Sequence, residues 1–161
     1  MGGKMAQGYR RSQIVLHWVT LGLVLWQFIG HDAMSEAWRS LRQGTELAFN
    51  PLVAAHVLGG GAILALVLWR LLLRRRHGGP VEANPRLRLA AAVTHGGLYL
   101  LLIALTLSGA AAWFGGIEAA AEPHEVLKAL LMALIGLHVA AALWHRFWLR
   151  DGVMARMLRA R

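Results

Sequence analysis

Four uncharged apolar runs decide what this chain can fold into. No Asp, Glu, Lys or Arg occurs from Ile14 to Ile29, from Leu52 to Trp69, from Leu89 to Ile117, or from Ala129 to His145. A helix needs roughly 20 mostly apolar residues, with a lower limit near 17, to cross the hydrocarbon core of a bilayer. The last three runs are long enough alone, and the first becomes so when Ser12, Gln13 and Gly30 are added. Only helices and closed barrels satisfy their backbone hydrogen bonds inside lipid. The sequence therefore predicts an all-α membrane protein. Its four spans, at about 12–30, 52–73, 89–114 and 124–148, form an up-and-down bundle in one domain, 1–161. A 57% hydrophobic share coexists with 16% charged residues because the charge is confined to the connections. Basic residues followed by an apolar run resemble a signal peptide. The run is too long and lacks a small-residue cleavage site, so it reads as an uncleaved first span.

The net charge of +9 is not spread evenly. Lys4, Arg10 and Arg11 precede the first span. Arg70, Arg74, Arg75, Arg76, Arg86 and Arg88 stand against Glu82 in the second connection. Arg146, Arg150, Arg156, Arg159 and Arg161 stand against Asp151 in the tail. The other connections hold Asp32, Glu36, Glu46, Glu118, Glu122 and Glu125, with Arg39, Arg42 and Lys128 as their bases. Basic connections stay in the cytoplasm, which puts both termini there. The basic face should attract anionic lipid headgroups. Nucleic acid is excluded as a partner, because such a site needs aromatics interleaved with bases in a soluble module. Trp18, Trp69, Trp113, Trp144 and Trp148 fall near the ends of spans, as an aromatic belt would. Pro51 and Pro123 fit first helical turns.

Within the spans, His17, His56, His124 and His138 are the costly residues. The chain has no Cys, which excludes disulfides, iron–sulfur clusters and thiolate-ligated haem. Paired imidazoles in a helical bundle point to a haem iron held from both sides. His17 lies about 9 Å beyond Arg11, and His138 about 15 Å before Trp148, so both fall in the cytoplasmic half. His56 and His124 fall at the opposite ends of their helices. On span four, His124 and His138 are fourteen residues apart, close to four whole turns. They share a face and are separated by about 21 Å along the axis.

His95 and His145 compete with these residues for the cytoplasmic site by depth alone. His31 and His77 read as solvated loop residues. Gly60, one turn after His56 within Gly59-Gly60-Gly61, and Gly136, two before His138, offer the room a porphyrin needs. Gly22 and Gly109 read as helix–helix contacts. Arg70 and Arg74 are candidates to pair with haem propionates or a quinone, or to anchor the span at the headgroups.

The segment Arg11-Ser12-Gln13-Ile14-Val15-Leu16-His17-Trp18 resembles the first helix of the bacterial cytochrome b561 family. So do His56, Arg70-Leu71-Leu72-Leu73-Arg74 and His95-Gly96-Gly97-Leu98-Tyr99. His124-Glu125, Gly136-Leu137-His138 and His145 resemble its fourth helix. The resemblance covers nearly the whole chain and implies a bacterial inner-membrane protein with two haems b. His17 and His138 would ligate the cytoplasmic haem, and His56 and His124 the periplasmic one. His95 and His145 would be left for ubiquinone or a proton path. It also implies electron flow from a periplasmic donor, superoxide or a redox protein, to the quinone pool. One departure bears on the donor. The superoxide-oxidising relatives have a longer third connection with a lysine close before the histidine corresponding to His124. Glu118, Glu122 and Glu125 stand here instead, and they repel an anion. Two other expectations remain open: the b-type cytochrome of a larger periplasmic redox complex, and a haem-free membrane protein binding zinc or copper.

Overall fold

The computed structural model describes residues 8–80, 82 and 84–160. Lys4 and Arg161, counted above among the basic residues, lie outside them. Five α-helices occur among the described residues, and no strand. Four are long and apolar enough to cross a membrane. They are α1 (Arg11–Ile29), α3 (Pro51–His77), α4 (Pro85–Gly115) and α5 (Ala121–Trp144). The fifth, α2 (His31–Arg42), lies in the first connection. It was not expected. It carries Asp32, Glu36, Arg39 and Arg42, so no apolar run marks it. Its signal is the spacing of Met34, Trp38 and Leu41, an apolar stripe on a short amphipathic helix.

Local chemistry sets the helix ends. Asn50 and Asn84 are side-chain N-caps, accepting from the Leu52 and Arg86 amides at 2.9 Å, and Pro51 and Pro85 follow them at the first helical position. Pro123 falls in the first turn of α5. At the start of α1, the Gln13 side chain accepts from the Arg10 amide at 3.0 Å, while its Nε2 donates to the Gly78 carbonyl just beyond α3. Gly78 and Gly116, at φ 64° and 63°, end α3 and α4 in conformations that disfavour any residue with a Cβ. α3 and α4 extend about four residues past the expected spans at the basic end, where arginines carry helix out of the lipid, whereas α5 starts three residues early and gives way to a π-helical turn after Trp144.

Packing runs α1 on α3, α3 on α4 and α4 on α5, with α2 laid against α3. A small core of Val24, Ile63, Val67 and Leu131 is buried at the centre. Most other apolar side chains face outwards; Leu58, Leu100 and Phe147 are each about 70% exposed. In water such a surface would drive aggregation, whereas in lipid it is the solvated face. Polar hydroxyls inside are satisfied within their own helices. Thr20 Oγ1 donates to the Leu16 carbonyl at 2.6 Å, and Thr106 Oγ1 to Leu102 at 3.0 Å.

Candidate functional site

The bundle has two ends of opposite charge, and histidines gather at each. At the acidic end a cavity of about 770 Å³ opens between α2, α3, α4 and α5. His31, His56, His124 and Lys128 line it, with Gly60, Gly61 and Gly109 in its walls. This is the size range of small-molecule and cofactor sites. His124 Nδ1–H donates to the Leu105 carbonyl at 3.0 Å. A carbonyl only accepts, so the proton is on Nδ1 and the Nε2 lone pair is free to coordinate. Gly109 makes this ring position available: a Cβ there would lie 2.9 Å from His124 Cε1. Gly109, expected to serve helix contact, is therefore part of the His124 seat.

His56 is fixed through its backbone. Gln27 Nε2 donates to the His56 carbonyl at 3.0 Å, passing over Gly59, where a Cβ would meet that nitrogen at 2.7 Å. His56 Nδ1 and Gln27 Oε1 are both buried without a hydrogen-bond partner. Orphaned buried polar atoms are uncommon, and here they mark the wall of a site shaped for another group.

His31 and Lys128 were not among the expected site residues. His31 opens α2, and its Nε2 accepts from Lys128 Nζ at 2.7 Å, with Ser35 Oγ at 3.3 Å. Lys128 also pairs with Glu125, and Arg42 bridges to Glu118 at 3.3 Å, tying α2 to the turn before α5. His31 is thus a cavity residue and not a solvated loop residue, because α2 folds back over the cavity mouth. The clue was the pairing of His31 with the apolar stripe of α2. His77, likewise, ends α3 with its ring on the Leu73 carbonyl at 3.3 Å.

At the basic end three imidazoles meet. The His17 and His138 rings are 6.3 Å apart between centroids, inclined at 66°. His95 and His138 are 5.2 Å apart at 70°. His95 Nδ1–H donates to the Ala91 carbonyl at 2.7 Å, leaving its Nε2 free. His17 is held differently. Arg70 Nη2 donates to His17 Nδ1 at 3.1 Å, and its guanidinium lies over the Tyr99 ring at 5.8 Å. An arginine cannot accept a hydrogen bond, so His17 Nδ1 carries no proton in this arrangement. For His17 to coordinate through Nε2, its proton must move to Nδ1 and Arg70 must turn away. Gly136 has open space around the position of a Cβ. Arg74 is exposed on the last turn of α3.

His145 is not part of this cluster. It begins a π-helical turn, His145–Leu149, and its Nδ1 is hydrogen-bonded to the Asp151 carboxylate. Partial burial pushes the Asp151 carboxyl up. The hydrogen bonds from His145 and the Val153 amide outweigh this, with help from the charges of His145 and Arg156, and the net effect is a lowered pKa. Among the described residues, no group of three or more His, Asp or Glu side chains is placed to hold a bare metal ion.

The family described as prokaryotic cytochrome b561 matches residues 8–160. The chain belongs to this family. Cytochrome b562 of Cereibacter sphaeroides is 38% identical over 154 residues, covering 96% of this chain and 97% of the relative. The probable superoxide oxidase CybB of Yersinia pestis is 34% identical, with 96% and 97% covered. Cytochrome b561 homolog 1 of Escherichia coli is 29% identical, with 93% and 96% covered. This member of the cytochrome b561 family is therefore a multi-pass membrane cytochrome of the b type, an electron-transfer protein. Family membership sets aside the haem-free reading. The residues present fit haem b: facing histidines, a glycine-walled cavity, and buried polar atoms with no partner of their own.

Proposed function

We propose that the chain holds two haems b, one at each end of the bundle, and moves electrons across the bilayer to the quinone pool. The observation that carries this reading is the position of His124 and His138 on α5, each in a separate histidine cluster at opposite ends. His56 and His124 hold the haem at the acidic, periplasmic end. His17 and His138 hold the one at the basic, cytoplasmic end. Both termini lie in the cytoplasm, and residues 1–161 act as one domain. When bound, a bis-histidine haem supplies a one-electron iron couple with both axial positions filled, which suits electron transfer and disfavours oxygen binding.

The chain's own residues tune each site. The Leu105 carbonyl fixes the His124 tautomer and ring plane, and Gly109 gives the ring its place. Gln27 sets the His56 backbone, and its free Oε1 is a ready acceptor at the wall. Once released from His17, Arg70 has a guanidinium for a propionate or a quinone oxygen. Ubiquinone reduction at the basic end needs protons, and His145, paired with Asp151, is placed near the surface to deliver them. His95 is the second candidate for this role.

The donor enters at the acidic end. Superoxide is the first to consider, since one relative is named a probable superoxide oxidase. Lys128 is the half-buried cation that would meet it, but Glu118, Glu122 and Glu125 outnumber Lys128 and Arg42 around the cavity. That balance opposes an anion and favours a neutral donor or a cationic periplasmic redox protein. Proteoliposomes containing ubiquinone provide the test. A neutral or cationic donor supplied at the acidic face should reduce haem and then quinone faster than superoxide does there. Haem reduction only by other donors would remove superoxide, and no quinone reduction with any donor would overturn the reading.

A further inference from the structure

We propose that the pocket beneath the C-terminal turn is a binding site for the phosphate of an anionic glycerophospholipid. After the π-helical turn the backbone reverses at Arg150, whose φ is 52°, the only positive φ at a non-glycine residue among those described. Arg150 is the C-cap of the turn, where a left-handed residue ends the helix and redirects the chain. The reversal leaves an open pocket of about 360 Å³ between the tail and the helix end, lined by Arg146, Phe147, Arg150, Gly152, Met154 and Ala155.

The pocket is tied in place from three directions. His145 is hydrogen-bonded to Asp151. The Val153 amide donates to Asp151 Oδ1 at 3.1 Å. Trp18 Nε1 donates to the Met157 carbonyl at 3.1 Å, tethering the tail to α1.

Its chemistry is that of a phosphate site. Arg150 Nε donates to the Phe147 carbonyl at 3.4 Å, which holds the stem and leaves the terminal guanidinium nitrogens open. Neither Arg146 nor Arg150 has a carboxylate partner among the described residues. Asp151, the adjacent acid, is occupied by His145 and Val153. Two uncompensated planar guanidinium groups on one pocket suit a multidentate oxyanion such as a phosphodiester, whose free oxygens each fork can bind. Phe147 and Met154 supply an apolar wall for the glycerol and the first acyl carbons. Trp144 and Trp148 stack just above, 5.0 Å apart at 14°, and both are more than half exposed. Paired exposed indoles mark the headgroup level. A lipid phosphate reaches this pocket from the bilayer, and an added net negative charge favours it over a zwitterionic headgroup.

The test uses the full-length, haem-loaded protein. It is released into native mass spectrometry from nanodiscs of mixed dioleoylphosphatidylcholine and dioleoylphosphatidylglycerol. Wild type should retain one phosphatidylglycerol. The double variant Arg146→Gln/Arg150→Gln should show about ten-fold lower occupancy. Arg75→Gln/Arg76→Gln removes the same charge from exposed positions at the same end and should retain the lipid. Equal loss in both double variants would mean diffuse attraction and overturn the site, as would equal retention of phosphatidylcholine. Displacement of the lipid by inorganic phosphate would make free phosphate the ligand and overturn the lipid assignment. Each Gln variant should keep the wild-type haem spectrum, since both side chains are exposed. If the double variant does not fold, Arg146→Gln and Arg150→Gln singly carry the same comparison.

Discussion

The two ends of the bundle hold their histidines in different ways. At the acidic end His56 and His124 line an open cavity, and His124 already has the tautomer that coordination requires. At the basic end three imidazoles lie together, and Arg70 holds His17 in the opposite tautomer. The acidic site is preorganised at His124, whereas at the basic one His17 has to exchange a proton and release Arg70. Preorganisation costs nothing at the moment of binding, while rearrangement subtracts from affinity. The acidic site should therefore fill first and lose its haem last.

Ligand deletion should give the largest effects. His56→Ala and His124→Ala are expected to remove only the acidic-end haem, halving the haem content in a pyridine-haemochrome assay. His17→Ala and His138→Ala should remove only the other. Because His95 lies nearer to His138 than His17 does, its variant decides the basic-end pair. Loss of a haem in His95→Ala with retention in His17→Ala would replace His17 as the partner.

Filling the His124 seat comes next. Gly109→Val places atoms where the imidazole lies, so acidic-end haem occupancy should fall several-fold. Gly22→Ala, with nothing within 4 Å of the new methyl, should leave both haems in place. Equal losses in the two variants would mean that glycine content, not ring contact, was responsible.

His145→Ala and Asp151→Asn should keep both haems and slow reoxidation by a soluble quinone about ten-fold or more, the scale of a lost acid–base partner. Wild-type rates at saturating and subsaturating quinone would leave the pair with a structural role only. The smallest effect is a pH dependence of stability. The folded Asp151 pKa is lowered, so the unfolded chain binds more protons in the window just below the ordinary carboxylate value. The contribution is complete above that value and lost as pH falls through the folded pKa. The difference in thermal midpoint between wild type and Asp151→Asn should therefore be present at neutral pH and shrink towards zero in acid. A difference independent of pH would assign the contact no electrostatic share.

Much of the architecture was legible because lipid leaves few choices. Uncharged runs, Pro51 and Pro123 at helix starts, and segregated arginines give four helices and their order. The spacing of His124 and His138 gave two levels on one helix. α2 escaped notice because a short charged helix has no apolar run, and with it went His31 and the cavity mouth. Gly109 was misjudged because its role depends on a neighbour fifteen residues away in sequence, His124 on the adjacent helix. The tail was not readable either: Trp18 and Met157 meet only through tertiary folding. Periodicity reports which face a residue takes, not which atom it meets.

The central claim is one haem at each end, and the haem-to-protein ratio of the purified wild type tests it most directly. Measured by pyridine haemochrome against amino-acid analysis, with no covalent attachment because the chain has no Cys, the account predicts a ratio of about two. His124→Ala and His138→Ala should each give about one. A reproducible ratio of one in fully loaded wild type would contradict it.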